Sequence, residues 1–202
     1  MKSVFKFIKA IAVIVLINTT ANATTPSIKI EEIGAKSLGL FIENLDEQSL
    51  SISLMDANQN YLYQDVSVNE DSYATKLNLK NLPSGEYTVV IENDYFIKTQ
   101  PVQVVYQGLI VKPEAADMVY KPTIRRNGDY LDLDMLLLTD QLVEISIIDY
   151  EGRVNFEDQI LNERLIQKRF NLSHLETGVY NVFVSWYQND VRHTENKSIV
   201  VE

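Results

Sequence analysis

The sequence predicts an all-β chain of two tandem β-sandwiches behind a signal peptide. Three observations carry this: an apolar leader at the N-terminus, a repeat at an offset of 93 residues, and an apolar period of two inside each copy.

The leader comes first in the chain. Met1 to Lys9 holds three lysines and no acid, Ala10 to Ile17 is continuously apolar, and Ala21-Asn22-Ala23 places small residues where a signal peptidase reads them. Residues 1-23 are therefore expected to be a signal peptide cut after Ala23. Crossing a bilayer permanently takes about 20 apolar residues, more than this run contains. The 202-residue chain has no cysteine, which excludes lipid attachment after the leader and any disulfide. Each sandwich must then be held by core burial alone, although an exported chain meets conditions that permit disulfides. Without the three leader lysines, 15 Lys and Arg stand against 28 Asp and Glu. This acidic balance disfavours nucleic acid and anionic membrane surfaces as partners.

Shifting the chain by 93 lays the first half on the second. Ile52-Ser53 falls on Ile145-Ser146, Asp56 on Asp149, Asn78-Leu79 on Asn171-Leu172, and Leu82, Gly85, Tyr87 and Val89 on Leu175, Gly178, Tyr180 and Val182. From the pair Ser49–Leu142 to the pair Glu92–Ser185, 12 of 44 positions are identical. Unrelated sequences of ordinary composition give about three. The chain is a duplication, and a period near 90 residues is long enough for each copy to bury its own core. Residues 24-112 form the first predicted sandwich and residues 113-202 the second, joined at the polar, proline-bearing stretch Lys112 to Asp117.

The elements follow in order. In the first copy Leu50, Ile52 and Leu54 alternate with Ser49, Ser51 and Ser53, a strand with one buried face; the second copy answers with Val143, Ile145 and Ile147. Turns at "DANQN" and "DYEGR" end these strands, and such runs recur at the spacing of a sandwich. In "LDMLLLTDQLVEI", Leu131, Leu133 and Met135 alternate with Asp132 and Asp134, which reads as strand, turn, strand. Leu79-x-x-Leu82-x-x-Gly85-x-Tyr87-x-Val89 and its repeat have the spacing of an immunoglobulin tyrosine corner, with valine where a disulfide cysteine would sit. The corner predicts that glycine makes a tight turn and that tyrosine buries its ring and sends its hydroxyl back to the main chain. Tyr87, Val89 and Ile91 then point inward, as do Tyr180, Val182, Val184 and Trp186. The expected fold is thus immunoglobulin- or fibronectin-III-like, twice over.

The second copy, "VEISIIDYEGRVNFEDQ" and "RFNLSHLETGVYNVFVS", resembles the C-terminal sorting domains of type IX secretion and related immunoglobulin-like domains on secreted proteins of the Bacteroidota. The shared pattern is a hydrophobic strand ending in Asp149-x-x-Gly152, then Leu172-x-x-Leu175-x-x-Gly178-x-Tyr180. Two departures stand out: Tyr120-Lys121-Pro122 replaces the family's Tyr-Pro-Asn-Pro box, and Val200-Val201-Glu202 replaces its basic tail. The resemblance implies a protein of the bacterial envelope.

The residues offer little chemistry. Catalysis by cysteine is excluded, and His174, in a turn, and His193, in the polar hairpin "QNDVRHTENK", read as solvated loop residues rather than general bases. Neither a phosphate loop, nor zinc-ligand spacing, nor a dinucleotide fingerprint is present. Two acidic groups, Asp129, Asp132 and Asp134, and Glu43, Asp46 and Glu47, could supply oxygen ligands to calcium, but neither matches a calcium-loop spacing. Exposed rings at Tyr61, Tyr63 and the "NDYF" segment Asn93 to Phe96 would suit contact with protein or sugar; cross-strand packing suits them equally.

The expected protein is therefore not an enzyme and has no cofactor, no metal site and no catalytic residues. Its partner is an unknown envelope or surface protein or a glycan, and no membrane span remains after signal cleavage. It is expected in the periplasm, on the outer-membrane surface or outside the cell, as a spacer, adhesion or interaction module. The alternatives are that residues 113-202 direct sorting or surface retention, or that a sheet face binds carbohydrate or calcium.

Overall fold

A computed structural model describes residues 13–14, 26–45, 49–67 and 71–202. Apart from residues 13–14 the expected signal peptide lies outside them. The chain divides into two compact units, residues 20–119 and residues 120–202 together with 1–19. Among the described residues there are seventeen strands and one 3-10 turn, Pro113–Ala115. No helix there is long and apolar enough to cross a membrane.

The first strand, β1 (Val13–Ile14), belongs with the second unit. In the first unit, β2 (Ser27–Gly34), β3 (Ser37–Glu43) and β6 (Ser72–Asn78) form an antiparallel sheet in the order β2-β3-β6. The facing sheet holds β4 (Leu50–Asp56), β5 (Tyr61–Ser67), β7 (Gly85–Glu92), β8 (Phe96–Val104) and β10 (Asp117–Tyr120), in the order β10-β8-β7-β4-β5. A short β9 (Leu109–Val111) also pairs with β8. The expected joint at Lys112 falls on the 3-10 turn, and pairing of β10 with β8 carries the compact first unit on to Val119.

In the second unit β11 (Thr123–Asn127), β12 (Tyr130–Leu136) and β15 (Leu165–Asn171) form one sheet, with β1 added beyond β15. β13 (Leu142–Asp149), β14 (Val154–Leu161), β16 (Gly178–Gln188) and β17 (Val191–Val201) form the other, in the order β14-β13-β16-β17. A three-strand sheet of the first, second and fifth strands facing a sheet led by the third, fourth, sixth and seventh is the fibronectin-III form of the immunoglobulin-like sandwich. The chain is therefore an all-β pair of such domains.

The duplication reaches the hydrogen-bond register. Ser37 lies opposite Asn78 and Tyr130 opposite Asn171; Leu54 lies opposite Tyr63 and Ile147 opposite Phe156. A register shift follows Leu54 in one copy and Ile147 in the other, positions 93 apart. Such a bulge increases local twist and limits an edge strand's ability to recruit another. Leu50, Ile52 and Leu54, and Val143, Ile145 and Ile147, are all buried. Burying a side chain of this size contributes roughly 1.5–3 kcal/mol relative to exposure.

Both corners form as the spacing requires. The Tyr87 hydroxyl donates to the Pro83 carbonyl at 3.0 Å, and that of Tyr180 to the Glu176 carbonyl at 2.8 Å. The part expected of glycine differs. Neither Gly85 nor Gly178 has a positive φ, and a Cβ there would meet the corner tyrosine ring, and at Gly178 also the Glu176 carbonyl oxygen, at ordinary contact distance. The chain turns at these corners without left-handed backbone.

Candidate interaction surface

The hairpin after the third strand of each sandwich is held by one aspartate. Asp56 Oδ1 accepts the N–H groups of Asn58 and Asn60, and Asp149 Oδ1 those of Glu151 and Arg153. The second oxygen takes a side chain, Asn60 Nδ2 in the first copy and Arg153 Nε in the second, at 2.9 and 2.7 Å. Burial of the Asp149 carboxyl raises its pKa. The donors from Arg153, Asn155 and Glu151 outweigh this and hold it down to about 2. The Asp-x-x-Gly pattern is thus a turn device, with Gly152 at φ +80° where the first copy has Gln59 at φ +65°.

Of the first acidic group, Asp132 sits on the outer face of the β11-β12-β15 sheet between two arginines. Arg169 Nε and Nη2 grip its two oxygens at 2.6 and 2.8 Å. The guanidinium also lies 5.4 Å from the Tyr130 ring centre. Arg169 lowers the Asp132 pKa by hydrogen bonding against an opposing burial effect. Asp134 pairs with Arg125 at 2.7 Å and accepts from Gln167. A cation arriving here would have to displace arginines. Asp46 and Glu47 lie outside the described residues, while Glu43 is exposed. Among the described residues no three His, Cys, Asp or Glu side chains gather as a metal site.

The two histidines differ from each other. His174 is exposed in its turn, as expected. His193 is not a solvated loop residue: it lies in β17 opposite Trp186, half-buried, with the rings stacked at 5.3 Å between centroids. The polar sequence around it belongs to a strand whose pairing partner is apolar.

The candidate rings do not converge. Tyr61 is 63 % exposed at the start of β5, whereas Tyr95 lies in the hairpin after β7, at the level of the far end of β5. Phe96 is buried, and Asn93 Oδ1 caps the hairpin by accepting from the N–H groups of Tyr95 and Phe96. Tyr73 and Asp65 instead make a latch between the two sheets of the first sandwich. The Tyr73 hydroxyl donates to Asp65 Oδ2 at 2.6 Å, and burial together with this bond pushes its pKa up to about 12.

Sequence reasoning missed one surface. In the second sandwich Leu136 lies opposite Leu165 at the ends of β12 and β15, and both are exposed, as are Leu138 and Leu161 close by in the chain. The same pair in the first sandwich is Glu43 opposite Ser72. Comparing the two copies position by position is the signal that could have found it.

No curated protein matches the chain. Among solved structures it is similar to the FN1–FN3 domains of chicken CNTN1, at 10% identity and a TM-score of 0.29, covering 85% of this chain and 62% of that one. A two-domain fibronectin type III segment of chicken tenascin matches at 8% identity and a TM-score of 0.28, over 87% of this chain and 97% of that. The BSP domain of a biofilm associated protein matches at 10% identity and a TM-score of 0.27, over 86% and 29%. Within the second sandwich, residues 128–202 match the family of secretion system C-terminal sorting domains.

Proposed function

We propose that this is an exported, non-catalytic protein in which the second sandwich acts as a sorting or surface-retention unit and the first as an interaction or spacer module. The observation that carries the reading is the family match over residues 128–202, which spans the second sandwich from just before β12 to its last residue. The N-terminal leader pattern agrees with export.

The test follows the full chain in a host that has the corresponding secretion system and in the same host without it. Surface proteolysis and mass spectrometry of the cell and medium fractions are the readouts. Chain outside the outer membrane only when the system is present supports the reading. Equal retention in the periplasm of both hosts sinks it.

A further inference from the structure

The outer face of the β10-β8-β7-β4-β5 sheet in the first sandwich carries a groove of about 520 Å³. Strand pairing lays its floor, with Glu86 opposite Gln103 and Thr88 opposite Pro101 on β7 and β8. One wall is the aspartate-capped hairpin with Gln59; the other is β9 and the 3-10 turn, which bring Ile110 and Lys112. That second wall is fixed from inside. Gln100, only 3 % exposed, donates its side-chain amide to the Lys112 carbonyl at 2.8 Å and to the Pro101 carbonyl at 3.0 Å, while β9 pairs with β8 so that Ile110 lies opposite Gln103. The groove is therefore built by the fold itself, and its volume lies in the range of about 300–1,000 Å³ common to small-ligand sites.

The second sandwich shows that the fold does not demand this lining. At the register position of Glu86 and Gln103 it places Val179 opposite Val200. At the position of Gln59 it has Gly152. Gln59 keeps its side chain at φ +65°, a region that glycine tolerates far better. Strain kept in one copy and relieved in its duplicate points to a use for the side chain. Among the described residues, the side chains of Gln59, Glu86, Gln103 and Lys112 have no hydrogen-bond or ion-pair partner, whereas Asp56 is occupied by its own turn.

The chemistry of these groups selects a ligand. A carboxylate only accepts, an ammonium only donates, and an amide does both. A ligand answering all four must offer donors and acceptors side by side, as a row of hydroxyl groups does. Pro101 and Ile110 give an apolar surface between them for the C–H face of a sugar ring. Asp56 and Glu86 against one lysine disfavour an acidic sugar. We propose that this groove binds a short neutral oligosaccharide, with Gln59, Glu86, Gln103 and Lys112 on its hydroxyls and Pro101 and Ile110 against its ring. The proposal rests on the reading of the first sandwich as an interaction module and gives that module a ligand class.

Two-dimensional NMR on the nitrogen-15-labelled full chain tests it. The probes are neutral tetrasaccharides of glucose, mannose, xylose and galactose, a tetragalacturonate, and a tetra-alanine peptide. At least one neutral probe shifts the amides of residues 57–60, 86–88, 102–103 and 110–112 together and saturably, leaving residues 128–202 unmoved. Glu86→Val combined with Gln103→Val, the pair found in the second sandwich, weakens that binding at least tenfold with the circular dichroism spectrum unchanged. Gln59→Gly weakens it severalfold while raising the denaturation midpoint, an opposition that a purely structural side chain would not produce. Silence from every neutral probe, tighter binding of the tetragalacturonate, or binding indifferent to these substitutions overturns the proposal. Shifts with the peptide alone overturn it too, yet keep the first sandwich as an interaction module; sorting is read separately, from where the chain resides in cells.

Discussion

At the scale of single residues, the two hairpins after the third strands form an internal comparison. Gln59 and Gly152 occupy the same turn position with φ near +65° and +80°. A side chain in that region costs about 1 kcal/mol, which glycine avoids. Gln59→Gly is expected to stabilise the first sandwich by about 0.5–1 kcal/mol, and Gly152→Gln to destabilise the second by about 1 kcal/mol. No atom lies near a Cβ at position 152, so the loss comes from backbone strain alone. Chemical denaturation of the single variants checks both signs. Asp149 supplies a pH dependence. Its folded pKa, about 2, lies below the unfolded value, so its contribution is complete above about pH 4 and fades as the pH falls toward 2. Asp149→Asn lowers stability at neutral pH and flattens the acid limb of a melting-temperature profile between pH 4 and 2. An unchanged acid limb contradicts the assignment. The spacing of Asp149 and Gly152 was readable in the sequence because a turn is local; the hydrogen bonds that make the aspartate the anchor were not.

At the scale of strands, the cross-strand row Arg125, Asp132 and Arg169 ties β11, β12 and β15 together on their outer face. Side-chain exposure is only 26% for Arg169 and 15% for Asp132, so breaking the pair leaves a carboxylate poorly solvated. Arg169→Ala is expected to cost about 1–2 kcal/mol, more than an exposed pair and less than a fully buried one. A double-mutant cycle with Asp132→Asn measures the coupling, and additive effects argue against it. Alternation told which of Leu131, Asp132, Leu133 and Asp134 face out. It gave no account of what those acids meet, because Arg169 is 37 residues away and arrives only through strand pairing. His193 shows the same limit: its neighbours in sequence are polar, while Trp186 across the ladder sets its environment.

At the scale of the molecule, each compact unit carries a complete core and its own corner, with no cysteine to staple either. Units of this kind unfold as separate cooperative blocks. Trp186 is fully buried, and Trp186→Ala is expected to cost about 3–5 kcal/mol. Calorimetry of the full chain should show the transition of the second sandwich lowered and that of the first in place. A single transition shifted as a whole contradicts separate cores. The duplication keeps one fold and varies its surface. Positions that keep the sandwich, Asp56 and Asp149 or Tyr87 and Tyr180, match between copies, whereas a pair at the strand ends differs, Glu43 and Ser72 against Leu136 and Leu165.

The amino-acid order by itself determined the leader pattern, the repeat, the alternating strands and the two tyrosine corners. These follow from interactions between residues close along the chain, which leave a period or a spacing behind. Only the tertiary structure decided that the acids of β12 answer arginines, that His193 lies on Trp186, and that exposed Leu136 and Leu165 meet across two strands of the second sandwich. Those contacts join residues far apart in the chain, and no local pattern encodes which distant side chain pairing will bring alongside.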